Sequence, residues 1–238
     1  MMSSYSVWSQ SLSSFWLSLS LIFLYIGVLV TCAELFKRIS AKNGEITRKI
    51  VHIGSGNVIL LAWWLKIPAG VGIGASAIAS LIAVISYYVP ILPSINSVGR
   101  KSWGTFFYAV SVGLLIGWFW PLQQPQYAAI GILVMAWGDG LAAIIGQNFG
   151  KHPYQLLGMQ KSWEGSLTMM GVSFLVSGSI LLGTQGNLWQ TWGVALGIAL
   201  VATLLEMVSK LGVDNLTVPL GSAAVAFYLN QALRLGMT

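Results

Sequence analysis

Apolar runs about twenty residues long recur along this sequence and leave it few folds to adopt. A helix needs about 20 mainly apolar residues to cross the hydrocarbon core of a bilayer. Such runs lie near residues 15–36, 50–66, 69–89, 103–120, 126–148, 164–184, 189–207 and 218–233. Charged residues make up only 8% of the chain, against about 25% in soluble domains. That is too little polar surface to coat a water-soluble globule. Every backbone polar group must be satisfied inside lipid, which favours helices. The expected fold is all-α, a polytopic membrane helix bundle of about eight transmembrane helices. It is read as one membrane domain, 1–238, with cytosolic loops near 37–49, 90–102, 149–163 and 208–217.

The charges orient the bundle. Numbered one to eight, the spans place Lys37, Arg38, Lys42, Arg48, Lys49, Arg100, Lys101, Lys151, Lys161 and Lys210 after odd-numbered spans. The other side holds only Lys66 and Arg234. Excess lysine and arginine mark the cytosolic side, so the first set is expected there. The same asymmetry accounts for the net charge of +6, and nucleic-acid binding is not expected. One cysteine, Cys32, excludes an internal disulfide or a cysteine-based zinc site, and two histidines are too few for a histidine-rich one.

The acids carry the functional signal. There are six, Glu34, Glu45, Asp139, Glu164, Glu206 and Asp214, and all fall in or beside the loops assigned to the cytosol. An ionised carboxylate within a membrane costs a few kcal/mol and is a functional candidate by default. Asp139 lies deepest, in Trp137-Gly-Asp-Gly-Leu-Ala-Ala-Ile-Ile-Gly146. On a helix it shares a face with Ala143, Gly146 and Gly150, a groove of tiny side chains that a phosphate or a partner helix can approach. The plain alternative is a carboxylate satisfied by a neighbouring lysine. At that depth an acid needs protein burial or a water-filled cavity, and a cavity open to the cytosol is expected. Glycines 138 and 140 are expected to break the helix.

Three further segments surround this one. Lys151 and Lys161 are point charges suited to phosphate, and Ser162 and Glu164 open the sixth span, where free N–H groups favour anions. The plain alternative is a helix cap with interface lysines. Glu206, with Asp214 and Asn215, offers hard oxygen donors suited to Mg²⁺, or an Asx turn before Pro219. In Glu45-Ile-Thr-Arg-Lys-Ile-Val-His52, Arg48 and His52 share a helical face, and Asn57 follows. Arg48 and Lys49 also suit simple anchoring at the cytosolic interface.

At these residues the chain resembles the polyprenol kinase group, which includes phytol and dolichol kinases. The likeness rests on Gly138-Asp-Gly-Leu-Ala-Ala-Ile-Ile-Gly-Gln-Asn-Phe-Gly-Lys151 with Gln160-Lys-Ser-Trp-Glu-Gly-Ser166. Arg48-Lys-Ile-Val-His-Ile-Gly54 and Asp214-Asn-Leu-Thr-Val-Pro-Leu220 resemble further motifs of the group. Length and span number are most similar to phytol kinase, and a distant likeness runs to CDP-diacylglycerol synthases. The resemblance implies CTP as phosphoryl donor, Mg²⁺, and a long-chain prenyl alcohol as acceptor, phytol first among them. In that reading Asp139, Asp214 and Glu206 hold the metal. Arg48, Lys151, Lys161, Ser162, Gly146 and Gly150 receive the phosphates. Asp139 or Glu164 takes the hydroxyl proton, and His52, Asn57 and Asn215 are further candidates. A CTP-dependent lipid-phosphate cytidylyltransferase, or a non-enzymatic ion-coupled carrier, are the rival readings. No Gly-x-x-x-x-Gly-Lys-Ser/Thr loop is present, which argues against a P-loop enzyme.

Overall fold

The computed structural model describes residues 2–39, 44–88 and 103–235. The chain forms a helical membrane bundle. Its elements are α1 (Met2–Ile39), α2 (Gly44–Gly56), α3 (Val58–Trp64), α4 (Ala69–Tyr88), α5 (Gly104–Phe119) and α6 (Pro125–Leu133). A π-helical turn, Val134–Asp139, joins α6 to α7 (Gly140–Phe149). Two short strands, β1 (Pro153–Leu156) and β2 (Met159–Ser162), precede α8 (Trp163–Gln185), α9 (Trp189–Val208) and α10 (Asp214–Leu235).

Among the described residues six helices, not eight, are long and apolar enough to cross a membrane. They are Ser13–Phe36, Ala69–Tyr88, Pro125–Phe149, Trp163–Gln185, Trp189–Val208 and Asp214–Leu233. The fourth expected span is the 16-residue α5, which at 1.5 Å per residue is about 24 Å long, short of a hydrocarbon core of about 30 Å. The second expected span, 50–66, is two helices instead. They break at Asn57, whose N–H reaches back only three residues to the Gly54 carbonyl at 3.2 Å. The 90–102 loop, with Arg100 and Lys101, lies outside the described residues, as does Lys42.

The rod Pro125–Phe149 is the axis of the bundle. From Tyr127 to Ala136 every residue is buried, as expected of a helix that is apolar all round. Proline at its first position removes an N–H that would have no partner there. Leu115, Ile116 and Phe119 of α5, Met169 and Leu181 of α8, Val194 and Ile198 of α9, and Val218 and Ala223 of α10 close around it. α1 sits outside, with Trp16, Phe23, Leu24 and Val28 exposed. It touches the bundle through α2 and α3, and the Tyr25 hydroxyl donates to the Gly54 carbonyl of α2 at 2.9 Å.

Small residues set the helix spacing, as lipid-embedded packing requires. At the α7–α8 crossing, a Cβ on Gly165 would lie 3.1 Å from the Ala142 carbonyl oxygen, 3.2 Å from Ser162 Oγ and 3.4 Å from Gly146 Cα. Gly165→Val therefore forces the helices apart and should cost about 1–3 kcal/mol, read as a lower thermal midpoint in detergent.

The hairpin β1–β2 was not expected from the sequence. It pairs Tyr154 with Lys161 and Leu156 with Met159. Leu157 and Gly158 both have positive φ, 52° and 77°, the geometry of a type I′ turn. Asn-Gly would have announced it; Leu-Gly does not.

Candidate active site

The site is built around Asp139, and two glycines bring its neighbours close. A Cβ on Gly138 would lie 2.6 Å from Met169 Sδ, and one on Gly140 would lie 2.6 Å from Ile53 Cγ1. The glycines thus admit α8 on one side and α2 on the other. They do not break the helix as expected; the backbone widens into the π-turn that ends at Asp139, a feature frequent at functional sites.

Asp139 Oδ2 lies 2.5 Å from Lys49 Nζ, with the two side chains 14% and 7% exposed. His52 Nε2 stands 3.9 Å from the same oxygen, and the Arg48 charge acts on Asp139 as well. Lys49, His52 and Arg48 all come from α2. A buried ion pair is weak grounds for stability, because its desolvation cost offsets the attraction. The pair between Lys49 and Asp139 matches the plain alternative the sequence offered, a buried carboxylate satisfied by a neighbouring lysine.

A second pair lies nearby. Lys161 Nζ, carried by β2, donates to both the carboxylate and the backbone carbonyl of Glu206 at the end of α9. Glu206 and Asp214 both feel the Asp139 charge, and Asp214 also feels Lys49 and Lys161. Asp139 thus pairs with Lys49 and Glu206 with Lys161, and Asp214 lies within electrostatic reach of both pairs. Among the described residues no three His, Cys, Asp or Glu side chains stand close enough to hold a metal ion by themselves.

The remaining candidates are placed as follows. Ser162 Oγ caps α8 by accepting the Gly165 N–H at 3.2 Å. Gly146 and Gly150 press on that same serine, with added Cβ atoms 3.0 and 2.9 Å from its Oγ, so the small-residue groove holds a partner helix. Lys151 is exposed. Glu164 sits at the rim, with Oε1 2.7 Å from His152 Nδ1 and Oε2 accepting the His152 N–H at 3.3 Å. Asn57 Oδ1 accepts the Trp137 indole N–H at 2.9 Å. Asn215 donates to Asp214 Oδ1 at 3.2 Å and to the Gly212 carbonyl at 3.3 Å; both residues belong to the first turn of α10, not to a loop. The Glu45 side chain, like those of Lys37 and Arg38, lies outside the described residues.

Lys49 was not singled out as a site residue. Its signal was periodicity: Lys49, His52 and Gly56 share a face of α2, and Gly56 is where that face meets the bundle. Tyr108, whose ring lies 4.8 Å from that of His52, left no signal.

A phytol kinase of Synechocystis sp. is 55% identical over 212 residues, which are 89% of this chain and 91% of that protein. The chain belongs to the phytol kinase family. The phytol kinase 1, chloroplastic, of Arabidopsis thaliana is a further relative, 28% identical over 77% of this chain and 66% of its own length. No family model and no solved structure matches the chain. Of the two lysine–carboxylate pairs, Lys49, Asp139 and Lys161 fall on stretches that carry the resemblance, whereas Glu206 lies outside them.

Proposed function

We propose that this chain is a CTP-dependent kinase that phosphorylates a long-chain isoprenoid alcohol, phytol above all, to its monophosphate. The observation that carries the reading is the kinship to a phytol kinase, with which the two lysine–carboxylate pairs and the Asp214 within their electrostatic reach accord. Phosphoryl transfer needs little covalent help from a protein; it needs positioning and charge neutralisation, which such a set supplies.

The donor set fits Mg²⁺. Asp139, Asp214 and Glu206 present hard oxygens, and Mg²⁺ in phosphoryl-transfer sites takes one or two carboxylates and completes its shell with phosphates and water. Bound there, the ion would neutralise charge on the transferred phosphoryl group and the departing diphosphate. Lys161, Arg48 and, from the rim, Lys151 attract the triphosphate. The alcohol oxygen forms a bond to the γ-phosphorus, the bond from that phosphorus to the β–γ bridging oxygen breaks, and CDP leaves. The hydroxyl proton passes to a carboxylate. Asp139 is the one beside the buried His52, whereas Glu164 is engaged by His152 and steadies the hairpin.

The site faces the cytosol in this reading, and the whole chain is a single membrane domain. Lysines from the segments after the first and fifth expected spans meet acids of the fifth and seventh: Lys49 meets Asp139 and Lys161 meets Glu206. That convergence supports one common, positively charged side.

Purified protein supplied with phytol and CTP labelled at either the α or the γ position tests the reading. Only the γ label should enter lipid. Entry of the α label would indicate cytidylyl transfer, and CTP consumption independent of any alcohol would sink the kinase.

A further inference from the structure

We infer that His52 and Tyr108 form the docking point for the acceptor's hydroxyl, so that α2 and α5 select an alcohol over its hydrocarbon; the assignment rests on the kinase reading.

Two buried polar atoms at the site have no hydrogen-bond partner, His52 Nε2 and Tyr108 Oη. Buried polar atoms are nearly always paired, and an orphan in a native fold needs an explanation such as a catalytic role or a missing ligand atom. Here two orphans belong to rings only 4.8 Å apart, next to the most deeply set carboxylate. The wall behind them is minimal. A Cβ on Gly56 would lie 3.1 Å from Tyr108 Oη, so any side chain there would crowd that hydroxyl.

The two atoms suit the two halves of a hydroxyl. With the proton on Nδ1, the unpartnered Nε2 of His52 is an acceptor. Tyr108 offers an O–H donor. A hydroxyl both donates and accepts, so an alcohol donates to His52 Nε2, accepts from Tyr108, and keeps a lone pair for phosphorus. Asp139 Oδ2 stands 3.9 Å from Nε2, so the proton that the docked alcohol directs at His52 passes to that carboxylate as the bond to phosphorus forms.

The test compares phytol with phytene, the hydrocarbon lacking the hydroxyl, as competitors for the acceptor site. Wild-type protein should prefer the alcohol. Tyr108→Phe keeps the ring packing and should raise the phytol KM by about 10-fold, the scale of one buried hydrogen bond. It should erase most of the preference for phytol over phytene and leave the CTP KM within about 2-fold. His52→Gln, which retains an acceptor, should keep more of the preference than His52→Leu. If Tyr108→Phe does not fold, the two His52 variants decide. An unchanged preference in the variants that fold overturns the assignment while γ-phosphate transfer by the wild type leaves the kinase intact. No transfer by the wild type overturns the kinase reading itself.

Discussion

Asp139→Asn should lower turnover by about 10³-fold, the scale on which one well-placed electrostatic group contributes to catalysis. Asparagine is nearly isosteric and still accepts a hydrogen bond from Lys49, so the π-turn and its two flanking glycines are undisturbed. What disappears is the charge. Lys49 is then a buried ammonium facing a neutral amide, and breaking a buried pair from one side costs about 3–5 kcal/mol; the retained hydrogen bond reduces that. The thermal midpoint should therefore fall. Adding Lys49→Met to Asp139→Asn removes the stranded charge and should restore much of the midpoint without restoring turnover. Single-turnover kinetics and thermal unfolding in the same detergent separate the two effects. Near-wild-type turnover by Asp139→Asn would refute the role given to this carboxylate.

The second large effect concerns Lys161 and Glu206. Exchanging them, Lys161→Glu with Glu206→Lys, rebuilds an ion pair between β2 and the end of α9. Stability should recover relative to either single change, although the hydrogen bond from Lys161 to the Glu206 carbonyl is lost. Turnover should stay at least about 10²-fold below wild type, because the cation that meets the phosphates has moved from the hairpin to the helix. Should the exchange restore turnover along with the midpoint, Lys161 would be only a strut, and phosphate binding would have to be reassigned.

The acidic part of the candidate site was legible in the sequence for a simple reason. Acids are so costly in lipid that six in a chain this apolar draw attention to themselves. Asp139, Glu206 and Asp214 were found that way, and they share one electrostatic neighbourhood. The counterparts were less visible. Lys49 sits beside Arg48 in a segment that also reads as an interfacial anchor, and only the face of α2 turned toward Asp139 distinguishes them. Gly146 and Gly150 look suited to phosphate because small residues admit a close approach, but sequence does not say what approaches. The structure places Ser162 and α8 there. Span number failed where hydropathy alone decided it: α5 is apolar but too short, and Asn57 divides the segment after α1.

Composition and spacing by themselves determined that the chain lives in a membrane, that it does so as helices, and which carboxylates are candidates for the site. Each of these follows from the cost of an unpaired polar or charged group in lipid, which is paid residue by residue. Only the tertiary structure decided the partners. Lys49 meets Asp139 across ninety positions of sequence, and Lys161 meets Glu206 across forty-five. Such pairings depend on which helices lie side by side, a choice made by the fit of glycines such as Gly138, Gly140 and Gly165 against their neighbours.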